Sequence, residues 1–205
     1  MTIAHADALA SAEERARREA ALALAHTAPL AALVAELRAL YPDRQVPQAD
    51  PCDGGVEARA LLLLEAPGPQ SVATGFVSRD SPNATARNLR ALLVGARIPR
   101  EAVLLWNVVP WYVGDGRRIR PVTPGDIDEA FAHLELLLER LSRLETIVLV
   151  GRKAQRVEPR LRALRPELPI VRTWHPSPQV FNISPRRKAE TRAAFDALGR
   201  TLRVG

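Results

Sequence analysis

The sequence predicts an α/β fold of three layers, with helices on both sides of a central four-stranded, mostly parallel sheet. Two observations carry that reading. Short apolar runs alternate with amphipathic or Ala/Leu/Arg-rich stretches along the chain, which is the pattern of successive strand–helix units. The stretch Ala58–Leu64 carries the unbroken run Leu61-Leu62-Leu63-Leu64, so that strand is read as central and buried on both faces, as parallel strands are, and Pro169–Arg172 is read as a buried strand. A third observation points toward function: three of these runs end in unusual polar tips. Leu64 leads into Glu65-Ala66-Pro67-Gly68, Trp106 into Asn107, and the run Pro169–Arg172 into Thr173-Trp174-His175-Pro176-Ser177-Pro178. In a parallel sheet the strand C-termini converge on one crevice, so three tips can build one site.

Taken in order, residues 7–25 read as a helix, and Thr27 reads as the cap of a second helix with Pro29 in its first turn, ending near Tyr41. The Pro- and Gly-rich stretch 41–55 reads as a surface connection. Ala58–Leu64 is the first strand. The loop from Glu65 to Ser81, interrupted by Phe76-Val77, is long enough to expect a function for it. Asn83–Gly95 is a helix and Ala102–Val109 a strand. The loop 110–122 carries Trp111, Tyr112 and the basic run Arg117-Arg118-Ile119-Arg120. Thr123, Pro124 and Asp126 open a helix running to about Arg143, with Leu134, Leu137, Leu138 and Leu141 as its buried stripe. Thr146–Val150 is the third strand, followed by Gly151 and a basic helix. Ser184 and Pro185 start the last helix, with Phe195, Leu198 and Leu202 on its buried face.

With 205 residues, 47% of them hydrophobic, the chain is read as one domain with residues 1–57 as a helical extension packed on it. A single cysteine, Cys52, excludes an intrachain disulfide framework and a four-cysteine metal or iron–sulfur site within one chain. No apolar run approaches membrane-spanning length, so a cytoplasmic location without membrane association is expected. The net charge of +6 suits a polyanionic partner, although the strong preference for arginine also fits a GC-rich coding bias.

Each motif alone is weak: Glu-Ala-Pro-Gly occurs in ordinary turns, and Asn107 has a structural reading as a satisfied amide. In order and spacing, however, they resemble the uracil-DNA glycosylase superfamily over roughly residues 59–202. Leu64-Glu65-Ala66-Pro67-Gly68 is similar to the Gly-Glu-Ala-Pro-Gly loop of the bacterial iron–sulfur class. Gly75-Phe76-Val77 resembles the segment whose ring stacks on the flipped base, and Leu104–Val109 the strand whose Asn reads the uracil edge. Val148–Gly151 resembles the third strand, and Trp174–Pro178 the His-Pro-Ser motif with its wedge loop.

The resemblance implies a DNA-repair hydrolase that cleaves the N-glycosidic bond of uracil and leaves an abasic site. Its expected partner is single- or double-stranded uracil-containing DNA, and its expected assembly is a monomer. It implies base contacts from Ala66, Pro67, Gly68, Phe76 and Asn107, and catalysis by His175 with Asp80 or Glu65 (Asn83 as a further alternative) holding the water. DNA contacts are implied for Ser177, Pro178, Gln179, Arg152, Lys153, Arg186 and Arg187. The chain departs from the family pattern at three places. With one cysteine, no cluster, metal or other cofactor is expected. Ala66 stands where the best-studied branch has a water-activating Asp, and Gln179 where a wedge Leu is usual. A member that binds DNA or a base without turnover is the second reading. A generic nucleotide-binding domain is disfavoured, since no glycine-rich phosphate loop follows the first strand.

Overall fold

The computed structural model describes residues 6–115 and 118–204. Arg117 of the basic run therefore lies outside the described residues. Four strands form the main sheet: β2 (Ala60–Leu64), β4 (Val103–Asn107), β5 (Thr146–Val150) and β6 (Ile170–Thr173). Their order is β4-β2-β5-β6 and every pair is parallel.

The consecutive apolar residues of β2 serve two cores, because successive side chains leave a strand on opposite faces. Leu61 and Leu63 join a core with Leu104, Trp106, Ile147 and Leu149, built against α2 (Ala28–Leu40), α5 (Pro124–Arg140) and α6 (Glu158–Leu164). Ala60 and Leu62 join the other, with Val103, Leu105 and Val148, built against α4 (Ala84–Gly95) and α8 (Pro185–Val204). Leu134, Leu137, Leu138 and Leu141 are all buried, which stabilises by about 1.5–3 kcal/mol per side chain. The start of α5 is fixed by a reciprocal cap: Thr123 Oγ1 accepts from the Asp126 amide, and Asp126 accepts from the Thr123 amide.

The N-terminal part differs from the sequence reading in three ways. The first helix is shorter, α1 (Ala12–Ala21), preceded by a 3₁₀ turn at Ala8–Ala10 and capped by Ser11. Thr27 starts α2 without capping it. Its hydroxyl donates to the carbonyls of Ala21 (2.9 Å) and Leu24 (3.1 Å), tying the end of α1 to the start of α2. The stretch 41–55 is no surface connection. It contains β1 (Gln48–Ala49), which pairs in parallel with β3 (Phe76–Val77), and it buries Asp50 and Asp53. The loop 65–81 likewise holds a short helix, α3 (Pro69–Thr74), before β3.

The register sets out what emerges at one end of the sheet. Leu64 pairs with Asn107 and Val150 with Thr173. The ladder continues past the strands, with Val108 and Val109 donating to the carbonyls of Leu64 (2.9 Å) and Glu65 (3.0 Å), and Gly151 to that of Thr173 (2.9 Å). The polar tips are therefore anchored to one another by backbone hydrogen bonds.

Candidate active site

Beyond the strand ends lies a cavity of about 280 Å³. Its walls come from Ala66, Pro67 and Gly68 after β2, from Val77, Ser78 and Ser81, from Asn107 at the tip of β4, and from His175 after β6. Asn83 and Leu89, at the cap and on the face of α4, complete it. Other hollows among the described residues are as large or larger, near Phe181 and beside Trp111, but this one joins the loops that follow three strands of the sheet.

Asn107 is 3% exposed, and its Oδ1 has no hydrogen-bond partner. A buried acceptor left open is costly unless something fills it, on the order of 1–3 kcal/mol. His175 packs on Gly151, whose φ of +93° is open to glycine and strained for other residues. A Cβ at Gly151 would lie 3.0 Å from His175 Cβ. Burial holds the His175 imidazole below its usual pKa, with Glu65 opposing and Lys153 adding to the shift, so the ring is neutral at pH 7. The loop behind it is tied down on both sides. Asn88 Nδ2 donates to the Pro176 carbonyl (2.8 Å), and Trp174 Nε1 donates to Glu190 (2.7 Å) while Arg187 lies 4.4 Å over the Trp174 ring.

Three expected site residues, Asp80, Phe76 and Glu65, lie outside the cavity wall. Asp80 was expected to hold the attacking water, but its carboxylate is fully buried and taken by three arginines: Arg18 at 2.7 Å, Arg90 at 2.6 Å and Arg100 at 2.6 Å. Burial is the largest single influence and raises its pKa, but Arg100 and Arg18 together outweigh it and hold the carboxyl below its ordinary value. Phe76 was expected to stack on a base, but it is 1% exposed and does not line the cavity. Val77, its neighbour in β3, does line it, and alternation along the strand turns Phe76 the other way. Glu65 also stays outside the wall, paired with Lys153 at 2.8 Å.

The remaining expected residues gather around the same loops. Arg152 is exposed just after Gly151, and Arg186 is exposed and paired with Glu190 at 2.7 Å. Ser177 and Pro178 are half-buried at the start of α7 (Pro178–Phe181), with Gln179 exposed.

Sequence reasoning missed Ser81 as a wall residue. It also missed a buried ionic cluster in which Arg18 and Arg100 bind both Asp50 and Asp80, and Arg100 and Arg79 bind Asp53. Burial, opposed first by Arg79, pushes the Asp53 carboxyl up to about 6. Arg18 lies in a helix rich in Ala, Glu and Arg, where nothing local separates a buried arginine from a solvated one.

Residues 51–199 match the uracil DNA glycosylase superfamily. The chain belongs to that superfamily. Among solved structures it is similar to a candidate uracil DNA glycosylase from Methanosarcina acetivorans, at 20% identity and a TM-score of 0.46, covering 69% of this chain and 92% of that one. It is also similar to wild-type UNG from Nitratifractor salsuginis, at 19% identity and a TM-score of 0.43, covering 68% and 73%. No curated protein matches. The superfamily match begins at residue 51, so α1, which supplies Arg18, lies outside it.

Proposed function

We propose that this superfamily member removes uracil from DNA by hydrolysing the N-glycosidic bond, with the extruded base seated in the 280 Å³ cavity. The observation that carries this reading is the convergence of Asn107, with an open buried acceptor, and neutral His175 on one cavity at the strand ends. An amide offers one donor and one acceptor, which fits uracil O4 and N3–H and opposes the reversed pattern of cytosine. When the bond from C1′ to N1 breaks, its electron pair moves onto the base and charge collects on O2. His175 donates a hydrogen bond there. A water oxygen then bonds to C1′ and loses its proton to solvent.

The water is held by neutral groups, since no carboxylate is among the residues lining the cavity. Asn83 is the candidate that remains from the sequence. Its Oδ1 caps α4 at the Ala86 amide (2.9 Å), and its Nδ2 is left to contact the water. Arg152, Lys153, Arg186 and Arg187 supply the basic surface for the phosphates. The apolar side chain offered to the duplex is Ile183, 77% exposed between α7 and α8, rather than one at Gln179. Residues 1–57 serve as an extension of the same domain.

The absence of a wall carboxylate also favours a second reading, binding without turnover. Incubation with a uracil-containing oligonucleotide, followed by alkali, separates the two. Strand breaks at uracil are expected; intact strands with retained affinity would leave only the binding reading.

A further inference from the structure

Ser81 lines the cavity, is 2% exposed, and its hydroxyl has no partner. Everything else about this residue is engaged. Its amide donates to the Ser78 carbonyl (3.4 Å) and its carbonyl accepts from the Asn83 amide (2.7 Å). The neighbouring polar side chains of the wall are also committed: Ser78 Oγ donates to Asp50 and accepts from the Asp80 amide, and Asn83 Oδ1 caps α4. The preceding residue is Asp80, fixed by three arginines. Ser71 and Thr85 also line the cavity but are half-exposed, so among the buried residues of the wall Ser81 presents an uncommitted hydroxyl, from a segment that cannot easily move.

Buried ion pairs of this kind add little net stability, because desolvation offsets the attraction. Holding a polar group in place ahead of a ligand is a use that repays it, since a preorganised contact loses less entropy on binding. We propose that Ser81 is a base-contacting residue, its hydroxyl hydrogen-bonding the polar edge of the extruded base alongside Asn107. This rests on the glycosylase reading of the cavity. A hydroxyl both donates and accepts. Ser81 therefore adds affinity for the seated base without choosing between keto and amino edges, and leaves that choice to Asn107.

The test uses a duplex with one 2′-deoxypseudouridine opposite guanine, which keeps the uracil ring edge but has a carbon–carbon glycosidic bond that hydrolysis does not break. A duplex with cytosine at that position is the comparison. The parent protein should prefer the pseudouridine duplex, and Ser81→Ala should lose about 3–10-fold of that preference, the scale of one neutral hydrogen bond, with ordinary-duplex affinity unchanged. The melting temperature of Ser81→Ala should stay level or rise, because an unpartnered hydroxyl has been removed from the interior. An unchanged preference in Ser81→Ala would overturn the role of Ser81 and leave the glycosylase reading standing. A parent protein with no preference, and no uracil excision, would overturn both.

Discussion

Under the proposed reading, what matters at His175 is a neutral ring beside developing negative charge. A contact to uracil O2 strengthens as the bond breaks, so it acts on the chemical step more than on binding. His175→Ala should lower the single-turnover rate by about 10²–10³-fold and leave affinity for uncleaved DNA within tenfold. The pH profile gives a second check. With its pKa below the usual 6.5, the neutral ring prevails across the neutral range, so excision should rise from acid to a plateau with a midpoint under 6.5. A rate that fell with rising pH over that interval would assign the work to the imidazolium. Linkage runs the same way. The unfolded chain binds this proton more readily, so the contribution of His175 to stability is present above about 6.5 and is lost as pH falls below it. Asn107→Ala should abolish most excision without lowering DNA affinity, measured by oligonucleotide cleavage and by titration of an ordinary duplex.

Among the elements, the turn after β5 and the segment before α4 show how backbone placement governs side-chain chemistry. Gly151→Ala would strain a positive φ, at about 1–3 kcal/mol, and push on His175 from 3.0 Å. The single-turnover rate should fall about 10–100-fold from that displacement, with uncleaved-DNA affinity retained. Asp80→Asn should act differently. It removes a buried charge facing three arginines and should destabilise by about 3–5 kcal/mol, lowering the melting temperature by about 6–20 °C. Its excision rate per folded molecule should fall no further than that of Ser81→Ala.

The contrast also marks what the sequence makes legible. Asn107 and His175 are readable because each follows a short apolar run, parallel strands end together, and whatever follows them meets. The sequence reads the run before His175 as buried, but β6 is an edge strand with Ile170 and Val171 half-buried and Arg172 exposed. Phe76 and Asp80 lie in a stretch with no such constraint. Which way their side chains turn is decided by β1 and by Arg18 and Arg100, partners that no local pattern announces. The same gap hid Ser81, whose significance lies in a bond it does not make.

Across the whole molecule the excess of positive charge predicts how DNA binding responds to ions. Each phosphate contact releases counterions, so affinity should fall steeply as salt rises. Arg152, exposed beside the site, is a clean probe. Arg152→Ala should weaken binding equally for all sequences and make the slope of log affinity against log salt shallower by about 1. A salt slope identical to the parent would place the phosphates elsewhere.

The position of Arg18 has a consequence for the chain during its synthesis. Its partner Asp80 follows 62 residues later. At about 5–20 residues per second, α1 waits on the order of 3–12 s for that carboxylate. Until then one of the two buried carboxylates that pair with its guanidinium is missing, so α1 should dock late. Asp50 arrives first, but Arg100, which grips both carboxylates, comes last. α1 should thus be locked only after residues far along the chain have been made.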